Sequence, residues 1–313
     1  MGISTMAIIL CHAPATMSLP SWLSSILARG GWGVDVFLLL SGIGLYYSLS
    51  RCETSHLKVW YYSRFKKLLL PYFLCYGTMT ILKAIVTDYS WIDVILDIST
   101  INFWVKHGSA WFVAILIPLY LISPFLHKLL NHTSNMQNRI LLMLGLVCFC
   151  LFLSVIGNSD VEYRGLIYNV QFTLSRVPSF IVGMAIAPYV ASSFKLKRPV
   201  LLSLFIVAIA LALKFVVPSI AISCFCIIPV VMLCAKFLSH DFKIINHIAN
   251  FMGQISLESY LFNVTLPLFF TLSTWECMGV CLSYGNYLPY VLVVAVGTIL
   301  SYIVHRFIIR LFR

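Results

Sequence analysis

Charge is scarce in this chain, and negative charge most of all: 10% of the residues are charged, with 10 Asp and Glu against 21 Lys and Arg. Soluble domains carry about a quarter charged residues, so a water-facing globular protein is excluded before any motif is read. Also missing are a Gly-rich phosphate loop followed by Lys and Ser or Thr, an internal repeat, a long linker and a soluble extension. Those absences point to one membrane domain over 1–313. No cluster of Cys, His or carboxylates has metal-ligand spacing, so no metal and no bound cofactor is expected. The basic residues are spread over short segments and form no single stripe, which argues against nucleic acid as a partner. The first apolar stretch lacks the basic start and small-residue cleavage site of a removable signal peptide, and is expected to stay in the mature chain.

What the chain has in abundance is apolar sequence, with 61% hydrophobic residues and a mean hydropathy of +0.96. About twenty apolar residues cross a bilayer as a helix. On that criterion the chain reads as an all-α, polytopic membrane protein with about ten transmembrane helices. They are placed at 2 to 17, 32 to 50, 68 to 87, 111 to 130, 139 to 157, 173 to 191, 200 to 217, 219 to 237, 249 to 272 and 287 to 309.

Charge orients this topology, because cytoplasmic loops carry the excess of Lys and Arg. With both termini in the cytoplasm, the inner segments hold Arg51, Lys58, Arg64, Lys66, Lys67, Lys128, Arg139, Lys195, Lys197, Arg198, Lys236, Lys243, Arg306, Arg310 and Arg313. Of the acids, Glu53 and Asp241 fall on that side, while Asp88, Asp93, Asp97, Asp160, Glu162 and Glu276 fall in outer loops. The expected location is the plasma or inner membrane. Most of the 10 cysteines lie inside apolar spans as packing residues; Cys277 and Cys281, in the last outer loop, are the pair placed to meet in an oxidising compartment.

An ionisable side chain at membrane depth is costly and marks a functional site when it faces the protein interior. His12 and Asp35 lie in consecutive spans joined by a short connection, which makes the helices antiparallel neighbours and predicts similar depth for both side chains. A carboxylate beside an imidazole holds one tautomer and suits a general base acting on a hydroxyl. The plainer reading makes His12 a packing residue and Asp35 a helix cap. Arg64, Lys66 and Lys67 stand at the inner mouth of the third span, placed either to pair with the phosphates of an acyl-CoA or to serve as ordinary cytoplasmic anchors. Lys83, Arg176 and Glu258 lie in or near spans; Glu258 calls for a basic partner, and Arg176 has the option of snorkelling. Trp22, Trp32, Trp91, Trp104, Trp111 and Trp275 fall near outer boundaries, as an interfacial belt or as platforms for a sugar.

Five segments carry a resemblance: GGWGVDVFLLLSGIGLYYSL, YYSRFKKLLLPYF, AWFVAILIPLYLISP, RVPSFIVGMAIAP and GQISLESYLFN. In this order they resemble membrane-bound acyltransferase family 3, whose members O-acylate sugars and related hydroxyl compounds. The resemblance implies that His12 is the family's membrane histidine. It places the Gly-Val-x-x-Phe-x-x-x-Ser-Gly segment on Gly33, Val34, Phe37, Ser41 and Gly42, with Asp35 inside it. The basic pair before a proline falls on Arg64, Lys67 and Pro71, the Trp-Phe element on Trp111 and Phe112 with Tyr120 and Pro124, and the late Ser-x-x-x-Tyr element on Ser256 and Tyr260. Two positions depart: Met1 stands where the family usually has arginine, and Asn263 where many members have histidine. The function implied is transfer of an acyl group, acetyl first among them, from cytoplasmic acyl-CoA to a glycan hydroxyl at the outer face. His12 and Asp35 would be catalytic, Arg64, Lys66 and Lys67 would bind acyl-CoA, and Ser41, Trp111, Glu258, Tyr260 and Asn263 would complete the site. The bilayer is the surrounding partner, and a homo-oligomer is compatible with the sequence. A transporter is the alternative; it calls for two matching halves with broken helices, a pattern the sequence does not display.

Overall fold

The computed structural model describes residues 1–15, 19–108, 111–133, 135–156, 165–190, 223–240, 242–271 and 287–312. These are helical almost throughout, with no strand among the described residues. The helices are α1 Gly2–His12, α2 Ser21–Ala28, α3 Trp32–Ser50, α4 Leu57–Tyr72, α5 Thr78–Val86, α6 Trp91–Ile98, α7 Ile101–Lys106 and α8 Trp111–Asn131. They continue with α9 Met136–Val155, α10 Leu166–Val190, α11 Ser223–Leu238, α12 Lys243–Gln254, α13 Ser256–Thr271 and α14 Tyr287–Leu311.

Six helical stretches are long and apolar enough to cross a membrane: Ser21–Ser50, Leu57–Val86, Trp111–Asn131, Met136–Val155, Leu166–Val190 and Tyr290–Leu311. Gly2–His12 and Ile227–Leu238 are shorter apolar helices. The described residues therefore support a multi-pass membrane protein but only part of the roughly ten spans expected. The span at 200 to 217 lies outside the described residues, as do Lys195, Lys197, Arg198, Asp160, Glu162, Asp241, Trp275, Glu276, Cys277, Cys281 and Arg313.

Two boundaries differ from expectation for physical reasons. The third span begins at Leu57 rather than 68, because the polar run through Lys67 is the helix's own polar face and not a loop ahead of it. It then passes through a π-helical segment, Phe73–Gly77, directly after Pro71, whose missing N–H breaks the regular ladder. The expected span from 249 to 272 is broken at Ile255 into α12 and α13. Gly2 sets its carbon against the Ala249 carbonyl of α12, where a methyl group would lie 1.8 Å from the oxygen.

Membrane helices gain from close backbone contact through small residues. The parallel pair α3 and α10 does so reciprocally: a methyl on Gly183 would fall 2.1 Å from the Leu39 carbonyl oxygen, and one on Gly42 2.3 Å from that of Phe180. Leu38, Leu39, Tyr72, Phe180 and Met184 are fully buried around this seam, while Phe125, Leu141, Phe149, Phe152 and Phe307 face outward as a lipid-facing surface requires. Arg139 is not a loop anchor. It is buried, donates from Nε to the Ala185 carbonyl at 3.0 Å and covers the Met184 carbonyl, which loses its usual partner because residue 188 is proline.

One end of the bundle gathers Arg51, Lys58, Lys128, Arg306 and Arg310, tied by Ser50 to His127 at 3.1 Å; it is called the basic end below. The other end carries α2, α6, α7 and the starts of α8 and α10.

Candidate functional site

Asp35, in the first turn of α3, is buried to 1% exposure and bound across the glycine seam. Its Oδ2 lies 2.6 Å from Arg176 Nη1, and its Oδ1 accepts from Ser179 Oγ at 3.2 Å, both on α10. The Arg176 guanidinium stands over the rings of Trp111 and Phe172, 5.9 and 5.5 Å from their centroids. Arg176 thus forms a buried ion pair rather than snorkelling, and Trp111 turns into the protein beside it. By contrast Trp22 and Trp91 are 65% and 58% exposed, as an interfacial belt requires.

This arrangement corrects the expectation that Asp35 orients His12. The His12 Nδ1 lies 3.5 Å from Cys11 Sγ, and among the described residues no hydrogen bond or ion pair joins it to Asp35. Helix register explains why. A methyl on Gly30 would fall 2.4 Å from the Ala7 carbonyl oxygen and one on Gly33 2.6 Å from that of Ser4, so contacts run antiparallel. Advancing to Asp35 moves toward the start of α1, while His12 sits eight positions beyond Ser4, about 12 Å of helix.

A cavity of about 160 Å³ opens between α3, α4, α8 and α13. Ser41, Arg64, Lys67, Tyr120, Ser256 and Tyr260 supply its polar lining, and Met1, the position where the family usually has arginine, also borders it. Four separate motifs therefore converge on one space. Helical spacing accounts for the basic residues: Arg64, Lys67 and Leu68 share one face of α4, whereas Lys66 falls on another. The Lys66 ammonium lies 4.7 Å over the Phe312 ring, so Lys66 does not share the cavity with Arg64 and Lys67.

The polar groups of this cavity are incompletely satisfied. Arg64 donates from Nη2 to Ser48 Oγ, which also accepts from Trp60 Nε1 at 2.7 Å. Among the described residues its Nε has no partner, and neither has the hydroxyl of Tyr260, a residue 4% exposed with its ring edge-on to Phe112. A buried donor left without a partner costs about 1 to 3 kcal/mol, so such atoms beside an open space mark where a ligand atom belongs. The Tyr260 hydroxyl is also within electrostatic range of Cys11, the neighbour of His12.

The remaining candidates lie elsewhere. Glu258 finds the basic partner that sequence left unnamed: its Oε1 lies 2.9 Å from Nδ1 of His305 on α14, on the face of α13 turned from the cavity. Asn263 is fully buried between α13 and α14, donating to Ser259 Oγ at 2.9 Å and Thr298 Oγ1 at 3.2 Å. Its amide sits against Gly297, where a methyl would meet Oδ1 at 2.2 Å. That geometry places Asn263 between α13 and α14, its Oδ1 without a hydrogen-bond partner among the described residues.

Sequence reasoning missed a second polar cluster, at the end opposite the basic one. Asp97 accepts from Tyr89 Oη at 2.5 Å and Asn102 Nδ2 at 2.6 Å, while its carbonyl accepts from Tyr72 Oη at 2.8 Å. Burial and the bond to Asp97 push the Tyr89 hydroxyl above its ordinary range. Next to it His107 meets Asn169 at 2.5 Å. No pattern announces these residues, since the partners lie on separate elements and neither belongs to a repeated motif.

One family model, described as an acyltransferase domain, matches residues 2–306, nearly the whole chain. The chain belongs to acyltransferase family 3 and is a membrane acyltransferase. No curated protein and no solved structure matches it.

Proposed function

We propose that this acyltransferase moves an acyl group, acetyl in the first instance, from cytoplasmic acyl-CoA to a hydroxyl of a cell-surface or lipid-linked polysaccharide. The observation that carries the reading is the cavity in which Arg64 Nε and the Tyr260 hydroxyl are buried beside Lys67 without partners among the described residues. The excess of Lys and Arg at the basic end of the bundle favours the cytoplasm for that end, where CoA thioesters are made. Arg64 and Lys67 would hold the anionic part of the donor, with the guanidinium suited to bidentate contact with phosphate. The Tyr260 hydroxyl would donate to the thioester carbonyl oxygen and follow it as negative charge develops there.

In the transfer, the acceptor oxygen bonds to the acyl carbon, the carbon–sulfur bond breaks, and the acceptor proton passes through His12 as general base to the departing CoA sulfur. Asp35 acts in this reading as a positioning residue, holding α3 against α10 through Arg176 and Ser179, and not as the partner of the base.

NMR of surface polysaccharide from cells with the intact gene, a deletion and His12→Ala tests the reading. Loss of ester signals in both mutants supports it. Esters unchanged in the deletion, with labelled acetyl-CoA untouched by the purified protein, would overturn it in favour of a transport role.

A further inference from the structure

His107 ends α7 with a backbone φ of 56°, a left-handed conformation that non-glycine residues adopt infrequently. Its ring packs against Phe103, Tyr168 and Phe172, with centroids 5.5, 5.7 and 5.0 Å away. Its tautomer is determined by its neighbours. Asn169, fully buried in the first turn of α10, donates from Nδ2 to the Trp104 carbonyl at 3.1 Å, which leaves Oδ1 as the atom facing His107. An amide oxygen only accepts, so the 2.5 Å contact requires the proton on His107 Nδ1. Nε2 is then a bare acceptor in the neutral ring, and it has no hydrogen-bond partner among the described residues. The residue is half-buried at the end of the bundle opposite the basic one.

We propose that His107 positions the sugar acceptor, its Nε2 accepting a hydrogen bond from a hydroxyl that is not itself acylated while Tyr168 and Phe172 pack on the apolar C–H face. The proposal rests on the acyltransferase reading given above and adds the acceptor subsite to it. A pyranose offers both features at once, a rim of hydroxyl donors and an apolar face. Aromatic rings around one fixed acceptor match that combination.

Two substitutions separate binding from scaffolding. His107→Asn keeps a donor for Asn169 but removes the acceptor facing outward; His107→Gln reaches the Nε2 position with an amide oxygen but gives up the Asn169 contact. The assay uses the full-length purified protein, acetyl-CoA and surface polysaccharide stripped of esters with mild base. His107→Asn raises the acceptor KM about tenfold, the worth of one hydrogen bond near 1.4 kcal/mol. Its acetyl-CoA KM and kcat stay within about twofold, and His107→Gln stays near the original values. Tyr168→Ala, which leaves the Asn169 contact in place, raises the same KM. An unchanged acceptor KM in both His107→Asn and Tyr168→Ala overturns the proposal. So does the reverse order, with His107→Gln impaired in every constant and His107→Asn normal, since that is the signature of scaffolding. If the unsubstituted protein transfers nothing from acetyl-CoA to polysaccharide, the functional reading itself fails and the subsite falls with it.

Discussion

The two polar regions at the heart of this protein differ in what lies beside their unpaired atoms: a closed helix seam in one, an open cavity in the other. Asp35 has partners for both oxygens, from Arg176 and Ser179, inside a seam where glycines bring two backbones into contact, and the atom left over there, Arg176 Nε, borders no cavity found among the described residues. Beside the cavity between α3, α4, α8 and α13, Arg64 Nε and the Tyr260 hydroxyl have no partners among the described residues. An ion pair closed inside a helix seam rigidifies a scaffold, whereas unsatisfied donors next to an open cavity are a cost that a ligand removes. On the proposed function, Asp35 holds the site in shape and Tyr260 touches what enters it, although both belong to motifs of the same family.

The largest effect is expected from breaking the Asp35–Arg176 ion pair. Asp35→Ala leaves the Arg176 guanidinium buried without its carboxylate, which costs about 3 to 5 kcal/mol. The purified protein should show a sharply lowered Tm in detergent and poor accumulation in membranes. The double substitution Asp35→Leu with Arg176→Met removes both charges and should recover most of that stability. If the double variant folds well and still transfers acyl groups at the normal rate, Asp35 is a structural element alone. If it folds well and is inactive, one member of the pair acts on substrate, and the contrast drawn between the two regions breaks.

Tyr260→Phe probes the unsatisfied region, and it should move activity without moving stability. It deletes a buried hydroxyl that has no partner among the described residues, so Tm should hold or rise slightly. Loss of one donor to a developing oxyanion should lower kcat about 10²-fold with acetyl-CoA KM little changed. A fall in Tm with kcat intact would show that the hydroxyl is a packing group and that the cavity is not where the thioester reacts.

How far these regions could be read in advance depended on whether their geometry is local. The membrane character and the face shared by Arg64 and Lys67 follow from hydropathy and the 3.6-residue period, both properties of single helices. The start of α4 was misplaced because the tyrosines and basic residues between 61 and 67 interrupt the apolar signal while the helix continues through them. The Asp35 to Arg176 pair spans 141 positions of sequence, and no local pattern links the two. His12 and Asp35 looked like partners because their helices are consecutive. The register that parts them is set by Gly30 and Gly33 against Ala7 and Ser4, a contact invisible to spacing alone. The break at Ile255 was equally hidden, since both α12 and α13 are apolar enough to read as one span.

The smallest expected effect sharpens the comparison within α4 itself, where Lys66 and Lys67 are adjacent and chemically identical. Both contribute equally to the positive field at the basic end, so a purely topological role predicts equal consequences for removing either. The cavity distinguishes them: Lys67 borders it, while the Lys66 ammonium rests 4.7 Å over the Phe312 ring. Lys67→Met should raise the acetyl-CoA KM about tenfold at low ionic strength, a loss typical of one charge-assisted hydrogen bond. The difference should shrink in about 1 M salt, because Lys67 is exposed and its attraction for phosphate is screened over roughly 3 Å there. Lys66→Met should change the same constant by less than about twofold, because a surface cation over an aromatic ring contributes on the order of 1 kcal/mol or less to local packing and nothing to donor binding. Parallel KM measurements on the two variants at two salt concentrations decide the matter. Equal shifts would reduce both lysines to cytoplasmic anchors and leave Arg64 as the sole cation in contact with the donor.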